Sequence, residues 1–191
     1  RVGIDATRLR TAAEALASSL PDELKPLSGE LLELLVETVR RNRCISSPAN
    51  VSLNSEHIWG RNFVGNGWRF LLRGSNASAR FGWLPTVDGN RIFHNRRSRF
   101  LKKMMGVDAA MNLLTTAFGA LQSAQIITQD GNGFVCDLRF LTLADGRGLP
   151  LYRCDSCGLR QPVNIKAHCA AFKCEGRLAT IPDEERLNEF E

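Results

Sequence analysis

The chain has 191 residues, a formal net charge of +5 and six cysteines, enough for one large domain or two small ones. It carries no G-x-x-x-x-G-K-[ST] phosphate loop, no G-x-G-x-x-G after a strand and no H-E-x-x-H. Three scattered histidines assemble no Ser/His/Asp set, so no catalytic centre is expected within it. There is no signal peptide or transmembrane run, and nothing demands an oxidising compartment, which makes the cytoplasm the expected location. The chain opens on Arg1 rather than Met, as expected of a piece of a longer protein.

The distribution of charge says more than its sum. Residues 36–106 carry thirteen basic and three acidic side chains, a net +10, while residues 1–35 and 107–150 are each at −2 and 151–191 is at −1. A cationic middle flanked by weakly acidic ends suggests a polyanionic partner, nucleic acid first, DNA in particular. An ordinary solvated basic face is the plainer alternative.

In chain order, a mildly helical stretch runs from Leu9 to Leu20 and stops before Pro21. Ser28 to Arg43 reads as a helix: Leu31, Leu35 and Val39 form one stripe with Leu32 and Val36 beside it, Ser28 stands where a cap would, and Arg40, Arg41 and Arg43 suit the C-terminal end of its dipole. Between residues 44 and 90, Trp59, Phe63, Trp68, Phe70, Phe81 and Trp83 are interleaved with Arg61, Arg69, Arg73 and Arg80, and Ser46–Asn50, Gly65–Gly67 and Gly74–Asn76 mark turns. Aromatic rings among arginines either stack bases beside phosphate contacts or form a small core under arginine stems.

Residues 91–106 are the densest basic run. Arg91, Arg96, Arg97, Arg99, Lys102 and Lys103 are the candidate nucleic-acid contacts, because each cation set against a phosphate releases a condensed counterion. Phe93, Phe100, Leu101 and Met104 give the run an apolar side, and a short amphipathic helix is expected over Arg96 to Met105. His94 reads as a surface or packing histidine, since no nucleophile or metal partner stands near it in sequence.

Asp108 is placed to cap a further helix from Ala109 to about Ser123, with Met111, Leu114, Phe118 and Leu121 on one stripe. Gln125–Thr128 and Phe134–Cys136, joined by Asp130-Gly131-Asn132-Gly133, read as a β-hairpin. A helix running straight into a hairpin is the back half of a winged helix, for which Ser28–Arg43 would be the front half. One more strand is expected at Arg139–Leu143, then a turn at Asp145–Gly148. The acidic tail from Asp183 reads as a helix or the start of a linker.

The most informative stretch is the last. Cys154, Cys157, Cys169 and Cys174 are spaced C-x2-C, eleven residues, C-x4-C. Two short loops of this kind let four thiolates converge on one ion, and zinc suits a tetrahedral four-sulfur site. With every position filled by protein there is no room for an activated water, so the expected zinc is structural. Two disulfides are the competing use of the same cysteines. Gly158 and Gly176 permit tight turns that bring amides toward the sulfurs. His168 abuts Cys169, but the cysteines already make a full set; Cys44 and Cys136 read as buried free thiols.

The run Leu113 to Leu143, followed by Leu151-Tyr152-Arg153-Cys154-Asp155-Ser156-Cys157-Gly158 and by Cys174-Glu175-Gly176-Arg177-Leu178, resembles a region of large bacterial DEAD/DEAH-box helicases of superfamily two, several of them in anti-phage defence islands. The resemblance covers about residues 110–180. It implies a winged helix that guides DNA beside the motor domains and a four-cysteine module that supports it. The motor's own ATP-binding motifs are not in this chain.

The expected fold is therefore α+β. A winged-helix-like helical domain with a β-hairpin spans 1–150 and contains a basic insertion at about 44–107. A small four-cysteine zinc ribbon follows at 151–181, and 182–191 is a tail or linker. The expected function is a non-catalytic nucleic-acid-binding accessory module of an ATP-dependent helicase or translocase, with the motor domains of the same parent chain and other defence proteins as partners and no membrane. A zinc-stabilised interaction scaffold for an acidic partner is the second reading, and a zinc-dependent transcription regulator the third.

Overall fold

The computed structural model describes residues 2–41, 44–45, 69–74, 82–143 and 149–187. Among them the chain is mixed helix and sheet. Helix α1 spans Ala6–Ala17, several residues earlier than the sequence suggests, because Asp5 caps it by accepting the Arg8 amide at 3.0 Å. Ser28 is not a cap: it is the first residue of α2 (Ser28–Arg41), already at helical angles at the end of a 3-10 turn, Lys25–Leu27. Leu31, Leu32, Leu35, Val36 and Val39 are all buried on α2. At about 1.5–3 kcal/mol per fully buried aliphatic side chain, this stripe outweighs the ~1 kcal/mol of any single cap, so packing defines the helix.

Helix α3 covers Arg96–Met105, where the sequence places it, with Asn95 as its cap. Gly106, at φ +83°, turns the chain directly into α4 (Val107–Ser123). Asp108 therefore sits in the first turn of α4 rather than capping it; an acidic side chain still suits that end of the dipole. Leu114, Phe118 and Leu121 of the expected stripe are buried, with Leu113 and Ala117 added. Both α1 and α3 pack on α4, which is the central helix.

Among the described residues, eight short strands build the main body. β1 (Val2–Ile4), β2 (Leu71–Arg73), β3 (Gly82–Leu84), β4 (Thr86–Asp88) and β5 (Arg91–Phe93) precede α3, and β6 (Ile127–Asp130) and β7 (Gly133–Cys136) follow α4. β6 and β7 form the expected hairpin, turning at Gly131 with φ +58°. It starts two residues later than expected, since Gln125 adopts φ +58° in the link from α4. Phe70 joins the hairpin from the side, exchanging backbone bonds with Phe134 at 3.0 and 2.8 Å. Expected strand 139–143 is a 3-10 turn at Leu138–Phe140 followed by β8 (Leu141–Leu143), which pairs antiparallel with β1.

The described residues of the basic stretch contribute to the core. Phe70, Trp83, Leu84, Phe100 and Leu101 lie in the same core as the helices, and Phe70 is at the centre of an aromatic cluster with Trp83, Phe118 and Phe134 at 6.0, 6.4 and 5.8 Å. Trp83 and Phe70 thus serve as core. Trp59, Phe63, Trp68 and Phe81, with Arg61 and Arg80, lie outside the described residues, as do Arg43 and the residues of the turns expected at Ser46–Asn50, Gly65–Gly67 and Asp145–Gly148. The cysteine module adds β9 (Tyr152–Cys154), β10 (Arg160–Gln161) and β11 (Leu178–Thr180), ordered β10-β9-β11, and a short helix α5 (Asp183–Leu187) follows. Val163, Ile165 and Ala170 of this module are part of the main core, so the packing runs across the expected boundary at 150.

Candidate metal centre and adjoining basic cleft

Cys154 and Cys157 bracket the turn between β9 and β10, which Gly158 closes at φ +69°. Cys169 and Cys174 bracket a second loop, held at its base by the bridge between His168 and Arg177. His168 thus takes part through its backbone, and it is not in the cluster. The four sulfurs all lie within 4.8 Å of one another. Cys154 and Cys174 are 3.6 Å apart, as are Cys157 and Cys169. These are not bonded sulfurs, and the four cysteines of the cluster are in no disulfide. A tetrahedral ion with metal–sulfur bonds of about 2.3 Å sets its sulfurs about 3.8 Å apart. The geometry fits one such ion.

Thiol electrostatics point the same way. Burial opposes ionisation of Cys154, but the amides of Cys157 and Ser156 outweigh it and bring the thiol down to about 7. Cys169 is driven up by burial despite the Ala171 amide at 3.3 Å. The Gly176 amide pulls Cys174 down, yet burial and its sulfur neighbours leave it raised. Without a cation the group cannot carry four negative charges, and a divalent ion removes that obstacle.

Three residues beyond the cysteines shape the centre. A Cβ on Gly176 would lie 2.5 Å from Cys154 Sγ and 2.6 Å from Asp155 Oδ1, so only glycine fits there. Asp155 Oδ1 accepts the Arg177 amide at 2.9 Å and ties the first loop to the second. Buried Gln161 does the same below them, donating to Val163 O at 2.9 Å and accepting the Ala170 amide at 3.0 Å. Gly176 is legible from its spacing; Asp155 and Gln161 carry no sequence signal that distinguishes them.

The six candidate nucleic-acid contacts divide. Arg97 is a correction: it is 3% exposed, and its guanidinium donates to Gly82 O at 2.7 Å, to Trp83 O and to Thr38 Oγ1, so it cannot reach a phosphate. Its position on the inner face of α3, one residue before buried Ser98, turns it inward. Arg96 donates to Ala170 O, and Lys103 donates to Cys174 O and pairs with Glu175 at 3.2 Å. These two fasten α3 to the cysteine module. Arg99 lies over Phe172, 4.7 Å from the ring centroid. Lys102 and Arg91 are exposed.

Where α3 meets the second cysteine loop there is a cleft of about 250 Å³ lined by His94, Arg99, Lys102, Lys103, Lys173 and Glu175. His94 accordingly belongs to a basic cleft, with its ring 3.2 Å from the Ser98 hydroxyl. Burial, then Lys102 and Arg99, hold its pKa below the ordinary 6.5.

No family model, no curated protein and no solved structure matches this chain. Among the described residues, no helix is long and apolar enough to cross a membrane.

Proposed function

We propose that this chain is a non-catalytic nucleic-acid-binding accessory module, held in shape by one structural zinc and joined in its parent protein to the motor domains of a cytoplasmic ATP-dependent DNA helicase or translocase of anti-phage defence. The observation that carries the reading is the basic cleft between α3 and the second cysteine loop, in which cations from two distant parts of the sequence meet. Four cysteine sulfurs with no further donor among them favour zinc over harder cations. The helicase reading rests on the resemblance over residues 110–180 and on the passage from α4 into the β6–β7 hairpin, the arrangement a winged helix uses. Binding of labelled DNA across a salt series tests the proposal: log affinity falls linearly with log salt if phosphates are being neutralised. Absence of binding at low salt rejects it.

A scaffold for an acidic protein partner is the second reading. It is favoured by the β4–β5 hairpin, where Val87, Ile92 and Phe93 are 49%, 39% and 49% exposed beside Arg91. Charge neutralisation on α3 would then weaken complex formation and leave DNA unaffected.

A further inference from the structure

We infer that the cleft between α3 and the second cysteine loop seats a phosphodiester of a single-stranded nucleic acid, with a base stacked on Phe172 beside it. This rests on the nucleic-acid reading above and commits it to one strand and one path.

The charge in the cleft is not internally neutralised. Glu175 is the single carboxylate of the lining, and Lys103 holds it at 3.2 Å. Among the described residues, Lys102 and Lys173 have no carboxylate partner, and Arg99 contacts only the His94 carbonyl and the Phe172 ring. Three cations therefore face a space of about 250 Å³. That is room for a phosphate group with part of its hydration.

Phe172 supplies the second requirement. The ring is 52% exposed at the loop tip, with Arg99 at 4.7 Å and Lys173 Nζ at 5.6 Å from its centroid. The Arg99 guanidinium lies over one part of the ring, and the residue still keeps about half of its surface open to a base. A rigid exposed ring next to a phosphate-sized cationic cleft is what an unstacked base and its 5′ or 3′ phosphate would meet. Paired bases of a duplex are already stacked and do not present a free face, so the arrangement selects a single strand.

The test uses the full, metal-replete chain and fluorescence anisotropy with a labelled oligo-dT strand and a duplex of equal length, each over a salt series. Two variants are compared: Phe172→Ala, and Lys102→Gln with Lys173→Asn, asparagine being chosen because Lys173 sits at φ +61°. Metal content and circular dichroism confirm that both remain folded. Expected results are tighter binding of oligo-dT than of duplex, a loss of roughly five-fold or more in Phe172→Ala with the salt slope unchanged, and a slope smaller by about 0.7, the share of one phosphate, in the double variant. Equal affinity for strand and duplex, or folded variants that bind like the parent, would overturn the inference while leaving nucleic-acid binding intact. Failure to bind either DNA at low salt would remove the underlying reading as well. Poly-glutamate binding lost in the double variant, with no DNA binding, would assign the cleft to an acidic protein instead.

Discussion

The guanidinium of Arg97 lies over the indole of Trp83, 4.6 Å from the ring centroid, inside the core and not on the basic surface around it. The indole in turn donates to Leu114 O at 2.7 Å, which anchors β3 on α4. One buried cation therefore joins α2, α3 and β3 through Thr38, Gly82 and Trp83.

Arg97→Ala strips donors from two buried carbonyls and a buried hydroxyl. Asn95 Nδ2 still donates to both carbonyls, at 3.1 and 3.0 Å, so the cost is that of three lost hydrogen bonds at about 1 kcal/mol each, about 3 kcal/mol in all, and Tm should fall by roughly 10 °C. Arg97→Lys should recover little, because an ammonium cannot reproduce the planar fork. Thermal melts of both variants check this. A surface-like change of under ~0.5 kcal/mol would contradict the packing role.

Gly176→Ala places a methyl group against Cys154 Sγ and Asp155. Backbone and sulfur cannot yield as a flexible side chain would, so the second loop has to shift away from the first. Metal affinity should drop by at least ten-fold, measured by competition with a chromophoric chelator. Gly158→Ala, where nothing lies within 4 Å but φ is +69°, should cost about 1 kcal/mol and keep the metal.

Asp137, 4% exposed, accepts the Arg139 side chain at 2.6 Å and the Arg139 amide at 3.0 Å. The Arg139 side-chain bond above all holds its carboxyl below the ordinary 3.8. A carboxylate with a lowered folded pKa stabilises above its unfolded value, and that contribution disappears as pH falls below 3.8. Because Arg139 is largely exposed, the gain is about 1 kcal/mol. Asp137→Asn should thus be less stable than the parent at neutral pH and converge with it below 3.8. The comparison of melts cancels acid-driven metal loss, which both proteins share.

His94 is neutral near pH 7, since its pKa is held below 6.5 by burial, Lys102 and Arg99. The folded state disfavours the imidazolium, so stability falls as pH drops below 6.5 toward the lowered value. A bound anion reverses that preference. Oligo-dT affinity should therefore rise as pH falls below 6.5, and His94→Asn should bind without this rise. A parent chain whose affinity is flat over that range would contradict the placement of His94 in the cleft.

Long apolar periodicity was readable: α2, α3 and α4 each carry a stripe that survives as a buried face. So were the four cysteines, whose spacing limits where they can go. Apart from the β6–β7 hairpin and the strand near 139–143, the short strands were not. A three-residue strand such as β1 is too brief for alternation to register, and its partner, β8, begins only at Leu141. The parallel pairing of β2 with β3 likewise depends on the core around Phe70 and Trp83. Nor does sequence distinguish Arg97 from its neighbours Arg96 and Arg99. Only the side of α3 on which each stands decides that one is buried, one docks on the cysteine module and one faces the cleft.

Metal stoichiometry of the purified chain tests the central claim most directly, because the cysteine loops form one wall of the cleft. The account predicts one zinc per chain, retained in Cys44→Ala and lost in Cys154→Ser with a large drop in Tm, since zinc can contribute on the order of 10 kcal/mol to folding of such a module. A chain without bound metal, or a Cys154→Ser variant with unchanged zinc content, would contradict it.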